Sequence, residues 1–421
     1  MKTAARLTAW KRTGCAVICL LMAACAARPI PTPRPADSPL AAAVPAGPAA
    51  EALEAAAQAY TDAGGRPVQV IVLGGDEYAD QVAAALLAGL DRYDLLLLPA
   101  ADLPHWTAYK ALRPLQTPAE AADLAAWLPP LRVGADLYGL PTQPDAIVLW
   151  YRADLLEEAG LSVPRDWNAF RAAALALNQP PERYGAAISG SGPEAAQDFS
   201  ALLAGFGGQA AGADFQVALD GEAARRALEF YAALRSPDGL VDPQAGSFTR
   251  ADVIAALAEG RAALGLAPLS AAHALTDCES SPNSCRAGQP LLAWAWLPGV
   301  DPSTALGSLE AWAVPLHAAH PEEAQRFAAW LTGPEGARVW ARNGGVPAHR
   351  SVLAEMDGLS ALGQVEVYNL PLPPVTNNAD GWSAYQAAVE AAVAGEQTPA
   401  AALKEAARRL GKDRPPSELK E

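Results

Sequence analysis

Between residues 67 and 98 the chain spells a strand, a turn, a helix and a second strand, and no other stretch limits the fold as strongly. The run Pro-Val-Gln-Val-Ile-Val-Leu at 67–73 is rich in the β-branched residues that suit a pleated surface. Gly74, Gly75 and Asp76 then turn the chain, with Asp76 placed to cap a helix over 77–89 whose Val82, Leu86, Leu87 and Leu90 share one face. The next strand, 93–98, ends in Asp-Leu-Leu-Leu-Leu, an unbroken apolar run of the kind covered on both faces. Such a unit implies α/β architecture with an open parallel sheet, and ligands of such sheets lie beyond the carboxyl ends of the strands.

The alternation extends in both directions. A weak strand over 40–44 and an alanine-rich helix over 49–64 come first. Beyond Tyr138 the pattern gives strands at 146–151, 184–189, 262–266, 291–297 and 311–316. Helices are expected at 153–159, 167–178, 194–206, 221–234, 249–259, 321–331, 334–342, 381–395 and 399–410. No solenoid repeat is visible.

The amino-terminal end reads as an export signal. Lys2, Arg6, Lys11 and Arg12 precede an uncharged run from 14 to 24, and a run of about a dozen residues is short of the roughly 20 that cross a bilayer. Met22-Ala23-Ala24-Cys25 resembles the lipobox at which bacterial lipoproteins are cut and lipidated on cysteine, so Cys25 is the expected lipid anchor. A proline-rich spacer follows, with Pro29, Pro31, Pro33, Pro35 and Pro39, a composition that stays extended and partly stiff. Cys15 and Cys19 leave with the signal, which leaves Cys278 and Cys285 to pair as one local disulfide in an exported chain.

The formal charge is -15, and loss of the four leader cations makes the mature chain more acidic still. Without a basic stripe, nucleic-acid binding is disfavoured. About 395 residues follow Cys25, more than one core usually holds and comfortable for two.

Five stretches together resemble the family 1 extracellular solute-binding proteins, the group containing maltose-binding protein. They are LYGLPTQPDAIVLWYRADLLEEAGL at 137–161 continuing through VPRDWNAF at 163–170, AEGRAALGL at 258–266, HPEEAQRFAAWLTGPEG at 320–336, GGVPA at 344–348 and TPAAALKEA at 398–406. The resemblance covers nearly the whole mature chain. It implies a periplasmic-binding-protein fold of two lobes joined by hinge crossings, with the ligand in the cleft between them. Lobe 1 is then 40–139 with 310–355, lobe 2 is 140–309 with 356–410, the signal is 1–24, the tether 25–39 and the tail 411–421. It further implies a monomeric, lipid-anchored, extracytoplasmic receptor that delivers a small molecule, a sugar or short oligosaccharide, to the membrane permease of an ABC importer. Other members take polyamines, metal ions or glycerol phosphates, so those solutes stay open.

A sugar site needs flat apolar faces and partners for every buried hydroxyl. By its place in the family pattern Trp382 is the expected stacking residue, with Tyr385 one turn on. Asp145, just past the first crossing, is the expected carboxylate, with Gln143 beside it. Asp76 and Asp102 end strands of lobe 1, Glu310 starts the strand that returns there, and Gln197 stands where relatives carry an aromatic residue. Each has a plainer reading as a cap or a packing residue. Leu269 replaces another aromatic, which thins the platform and points to a short ligand. Trp150, Trp167, Trp330 and Trp340 sit within helix or strand patterns and read as core. No cofactor or metal is expected, and the five histidines stand in no metalloprotease or triad context, which leaves a secreted carbohydrate-active enzyme or a structural lipoprotein as weaker readings.

Overall fold

The computed structural model describes residues 34–208, 219, 221–235, 238–279, 281–356, 359–369 and 379–410. From Pro39 onward the described residues belong to one compact unit. The expected leader at 1–24, Cys25, most of the expected tether and the expected tail at 411–421 lie outside the described residues. Among the described residues no helix is long and apolar enough to cross a membrane.

The first sheet has five strands in the order Val68–Leu73, Leu40–Pro45, Leu95–Pro99, Glu310–Ala313, Leu140–Thr142. The first three are parallel, whereas Glu310–Ala313 runs antiparallel to both neighbours, so the sheet is mixed. The weak segment at 40–44 turns out to be central to the parallel part. Leu40, Ala42, Ala43 and Val44 have no exposed surface, and with both faces covered no alternation remains to advertise the strand.

Strand Leu40–Pro45 has Val68–Leu73 on one side and Leu95–Pro99 on the other, so successive connections leave it in opposite directions and mark a switch point. Pairing with Leu95–Pro99 stops at Ala43 and Leu96. Beyond it the strands splay, and the Tyr78 hydroxyl fills the gap, donating to the Leu97 carbonyl at 2.7 Å and accepting from the Leu97 amide at 3.0 Å. Tyr78 belongs to the helix Gly75–Ala88, whose N-cap is Gly74 rather than Asp76.

The second sheet has the order Leu292–Ala295, Ile147–Arg152, Ala262–Pro268, Tyr184–Ala187. Alternate residues of Ile147–Arg152 enter different cores: Ile147 and Leu149 pack with the helices Gly192–Gly205, Glu222–Arg235 and Ala379–Ala394, while Val148 and Trp150 join the core that continues into the first sheet. A strand covered on both faces keeps its apolar run and still obeys the two-residue period.

The sheet boundary falls after Thr142 rather than at Leu140, because Leu140–Thr142 pairs with Glu310, Ala311 and Trp312 in the first sheet. Met356, Leu362 and Val365 pack on the larger core, to which both sheets contribute. Cys278 and Cys285 form a disulfide.

Candidate functional site

Chain direction brings the candidate residues to one place. In the first sheet the strands ending at Pro45, Leu73, Pro99 and Thr142 run one way, and the opposed strand begins at Glu310, so these ends share an edge. In the second, the strands ending at Ala187 and Pro268 share an edge with the start of Ile147–Arg152, where Ile147 pairs with Pro268. Only residues 143–146 separate Thr142 from Ile147, and four extended residues reach at most about 14 Å. The two carboxyl edges therefore confront each other within reach of one small molecule.

The returning chain runs alongside that crossing. The Asp145 amide donates to the Ser308 carbonyl at 2.9 Å, and the Ala100 amide to the Leu309 carbonyl at 2.8 Å. Gly307 lies so near that a Cβ on it would stand 1.8 Å from the Asp145 carbonyl oxygen, a contact no larger residue can make.

Three expected carboxylates line these edges. Asp102 ends a short helical turn, Ala100–Asp102, that follows Pro99. Its side chain is exposed, yet the surrounding protein desolvates it and raises its pKa against the pull of His105. Glu310 pairs with Pro99 and Thr142 at the sheet edge, and burial raises its pKa too. Asp145 is raised by burial against the lowering effect of its hydrogen bonds. Its Oδ1 accepts from the Ala146 amide at 2.9 Å and the Ser270 amide at 3.1 Å, and its Oδ2 accepts from the Ser270 hydroxyl, so the carboxylate also caps the turn Leu269–Ala271.

The other expected residues divide. Gln197 is half-buried on the helix Gly192–Gly205. Gln143 spends its side-chain carbonyl on protein partners, accepting from the Val346 amide and from Trp340 Nε1 at 3.2 Å. Asp76 and Trp382 lie in the helices Gly75–Ala88 and Ala379–Ala394, with their side chains outside the described residues. Tyr385 is a correction. It is 2% exposed, its ring meets Phe199 at 5.8 Å and its hydroxyl shares a 2.8 Å hydrogen bond with Ser200, so it is core and not ligand surface. Burial pushes its pKa up. Leu269, with no exposed surface, offers no stacking face. Trp150, Trp167 and Trp340 are buried and Trp330 partly so.

Sequence reasoning missed one buried ion pair. Asp198 has no exposed surface, and its Oδ1 accepts from Arg250 at 2.6 Å while its Oδ2 accepts from the Ser189 amide at 3.1 Å. Arg250 also donates to the Leu266 carbonyl at 2.6 Å, bracing the edge of the second sheet. The available signal was an aspartate among Ala195, Ala196 and Phe199, on a face that is otherwise apolar. Among the described residues no group of three His, Cys, Asp or Glu side chains could hold a metal ion.

This arrangement, two α/β lobes whose carboxyl edges meet across short crossings, is that of a periplasmic binding protein. The family model described as bacterial extracellular solute-binding protein matches residues 46–338, and the chain belongs to that family. Its members are extracellular receptors rather than enzymes. A mannitol-binding protein of Pseudomonas aeruginosa is 27% identical over 267 residues, covering 61% of this chain and 59% of that relative. Among solved structures, maltose-bound T. maritima MalE3 matches with TM-score 0.70 at 20% identity, over 89% of this chain and 99% of its own. A solute-binding protein from Agrobacterium vitis S4 with bound D-mannitol matches with TM-score 0.65 at 22% identity, over 89% and 97%. One from Thermotoga lettingae bound to α-D-tagatose gives 0.70 at 23%, over 89% and 99%. These likenesses show the fold.

Proposed function

We propose that this chain is the receptor of an ABC importer that binds a small carbohydrate, a sugar or sugar alcohol, between its two lobes, hands it to a membrane permease, and is held at the membrane by a lipid on Cys25. The observation that carries the reading is the set of desolvated carboxylates, Asp102, Asp145 and Glu310, at two facing edges. Carboxylates are the strongest neutral-hydroxyl acceptors a protein owns, and with Tyr385 and Leu269 removed from the stacking surface, the site suits a ligand of one or two rings or an open chain. Names among the relatives, mannitol, tagatose and maltose, point the same way. No catalytic role is assigned to any residue.

The same carboxylates would suit a cationic solute, so the test includes one. Thermal unfolding of the protein is followed with D-mannitol, D-tagatose, maltose and putrescine, since a ligand of the native state raises the midpoint. A rise with a sugar or polyol is expected; a rise with putrescine alone would overturn the carbohydrate reading. Trp382→Ala is then expected to weaken sugar binding by about 1 to 3 kcal/mol with the fold intact. Mass spectrometry of native protein checks the lipid, and an unmodified terminus elsewhere would remove the anchor.

A further inference from the structure

Gln143 stands one residue past the first sheet, and its backbone is left-handed, with φ 46°. A residue with a Cβ is rarely found there unless its surroundings hold it. Here the hold comes from lobe 1. The Gln143 amide donates to the Val346 carbonyl at 2.9 Å, and its side-chain Oε1 accepts from the Val346 amide and from Trp340 Nε1 at 3.2 Å. Main chain and side chain thus clasp the same residue, and two donors on Oε1 fix the orientation of the carboxamide.

The clasp is backed by packing that has little room to give. Trp340 is 2% exposed and stands edge-on to Trp312 at 5.5 Å, with Trp312 in the returning strand Glu310–Ala313. Gly345 passes beneath the indole so closely that a Cβ would lie 2.1 Å from Trp340 Nε1. Gln143 is therefore connected to both crossings: directly to the first, and through Trp340 and Trp312 to the second. Two residues on, the Asp145 amide ties the crossings together at Ser308.

We propose that Gln143 is a hinge-setting residue, in which the clasp by Val346 and Trp340 imposes the left-handed bend at the start of the crossing and so fixes the resting angle between the lobes. This rests on the two-lobe receptor reading and is independent of the ligand's identity. It also assigns Gln143 a positioning role in place of the ligand contact expected from sequence.

The test uses the unliganded chain, so a failure of the carbohydrate reading leaves it untouched. Gln143→Ala removes the acceptor, and Gln143→Glu keeps one. Small-angle scattering reports the angle between lobes, and amide exchange at Val346 reports the clasp. Gln143→Ala is expected to change the radius of gyration and to speed Val346 exchange by about tenfold or more, the effect of an amide losing its partner; Gln143→Glu restores both. A residue that only stabilises would lower the unfolding midpoint and leave the scattering alone. Unchanged scattering in Gln143→Ala, or equal changes in the Ala and Glu variants, would overturn the proposal. Should Gln143→Ala not fold, Trp340→Phe removes one donor only and is expected to give the same shifts, smaller; its scattering unchanged would be equally decisive.

Discussion

Asp145 and Ser270 close on each other at the edge of the second sheet, the serine amide donating to one carboxylate oxygen at 3.1 Å and its hydroxyl donating to the other. Even so, burial prevails and the pKa of Asp145 is raised, as are those of Asp102 and Glu310. A carboxyl with its folded pKa above its unfolded value stabilises the fold fully below the ordinary carboxylate range and loses that contribution as pH rises through the raised value. Sugar hydroxyls need the ionised form, so affinity is expected to fall as pH drops through the same window. Comparing wild type with Glu310→Gln isolates one such group: at neutral pH the variant is expected to melt higher and to bind more weakly. Melting scans and calorimetric titration from about pH 4 to 7 check both signs. Equal affinity in the two proteins throughout would take Glu310 out of the site.

Tyr385→Phe tests the correction made above. Removing the hydroxyl leaves the ring against Phe199 and takes one hydrogen bond from Ser200, whose hydroxyl still donates to the Ala196 carbonyl at 2.9 Å. A loss of about 1 to 2 kcal/mol in denaturant unfolding is expected, with ligand affinity unchanged. A large loss of affinity with little loss of stability would return Tyr385 to the ligand surface.

Asp198→Ala leaves Arg250 charged and buried without its ion-pair partner, still donating to the Leu266 carbonyl. Breaking such a pair from one side costs about 3 to 5 kcal/mol, because the remaining charge is uncompensated. The double variant Asp198→Ala with Arg250→Met is expected to recover much of that in urea unfolding. Equal destabilisation in the single and double variants would show that the pair acts through something other than charge.

The Cys278–Cys285 bond closes a short loop, and chain entropy limits its worth to about 2 to 3 kcal/mol. Thermal unfolding with and without reductant is expected to differ by several degrees, with ligand binding retained. Loss of binding on reduction would tie this loop to the site.

What was legible in the sequence follows the length of each pattern. The helices at 167–178, 321–331 and 334–342 were placed within a residue or two, since Asp166, Pro321 and Pro334 mark their starts and long amphipathic runs do the rest. Strand Leu140–Thr142 escaped because three residues carry no period. Helix Leu103–Ala108 escaped because Pro104 reads as a breaker although it occupies a first-turn position. At the site, family position picked out Asp145 and the strand pattern Glu310, both of which stand at sheet edges, but neither signal could distinguish a side chain pointing outward from one pointing in. Tyr385 and Gln143 illustrate that limit: Ser200, Val346 and Trp340, their partners, are 185, 203 and 197 positions away, and no local pattern announces such pairings.

The strand order of the first sheet has a consequence for how the molecule is made. Glu310–Ala313 lies between Leu95–Pro99 and Leu140–Thr142, so as the chain emerges from the ribosome those earlier strands wait with a missing neighbour while more than a hundred further residues are synthesised. Until Trp312 arrives, Leu97 and Leu140 have no partner on that side, and unpaired apolar edges of this kind attract the wrong company. Pairings so distant in sequence also form slowly. Late completion therefore leaves the first sheet unable to close for most of the chain's synthesis.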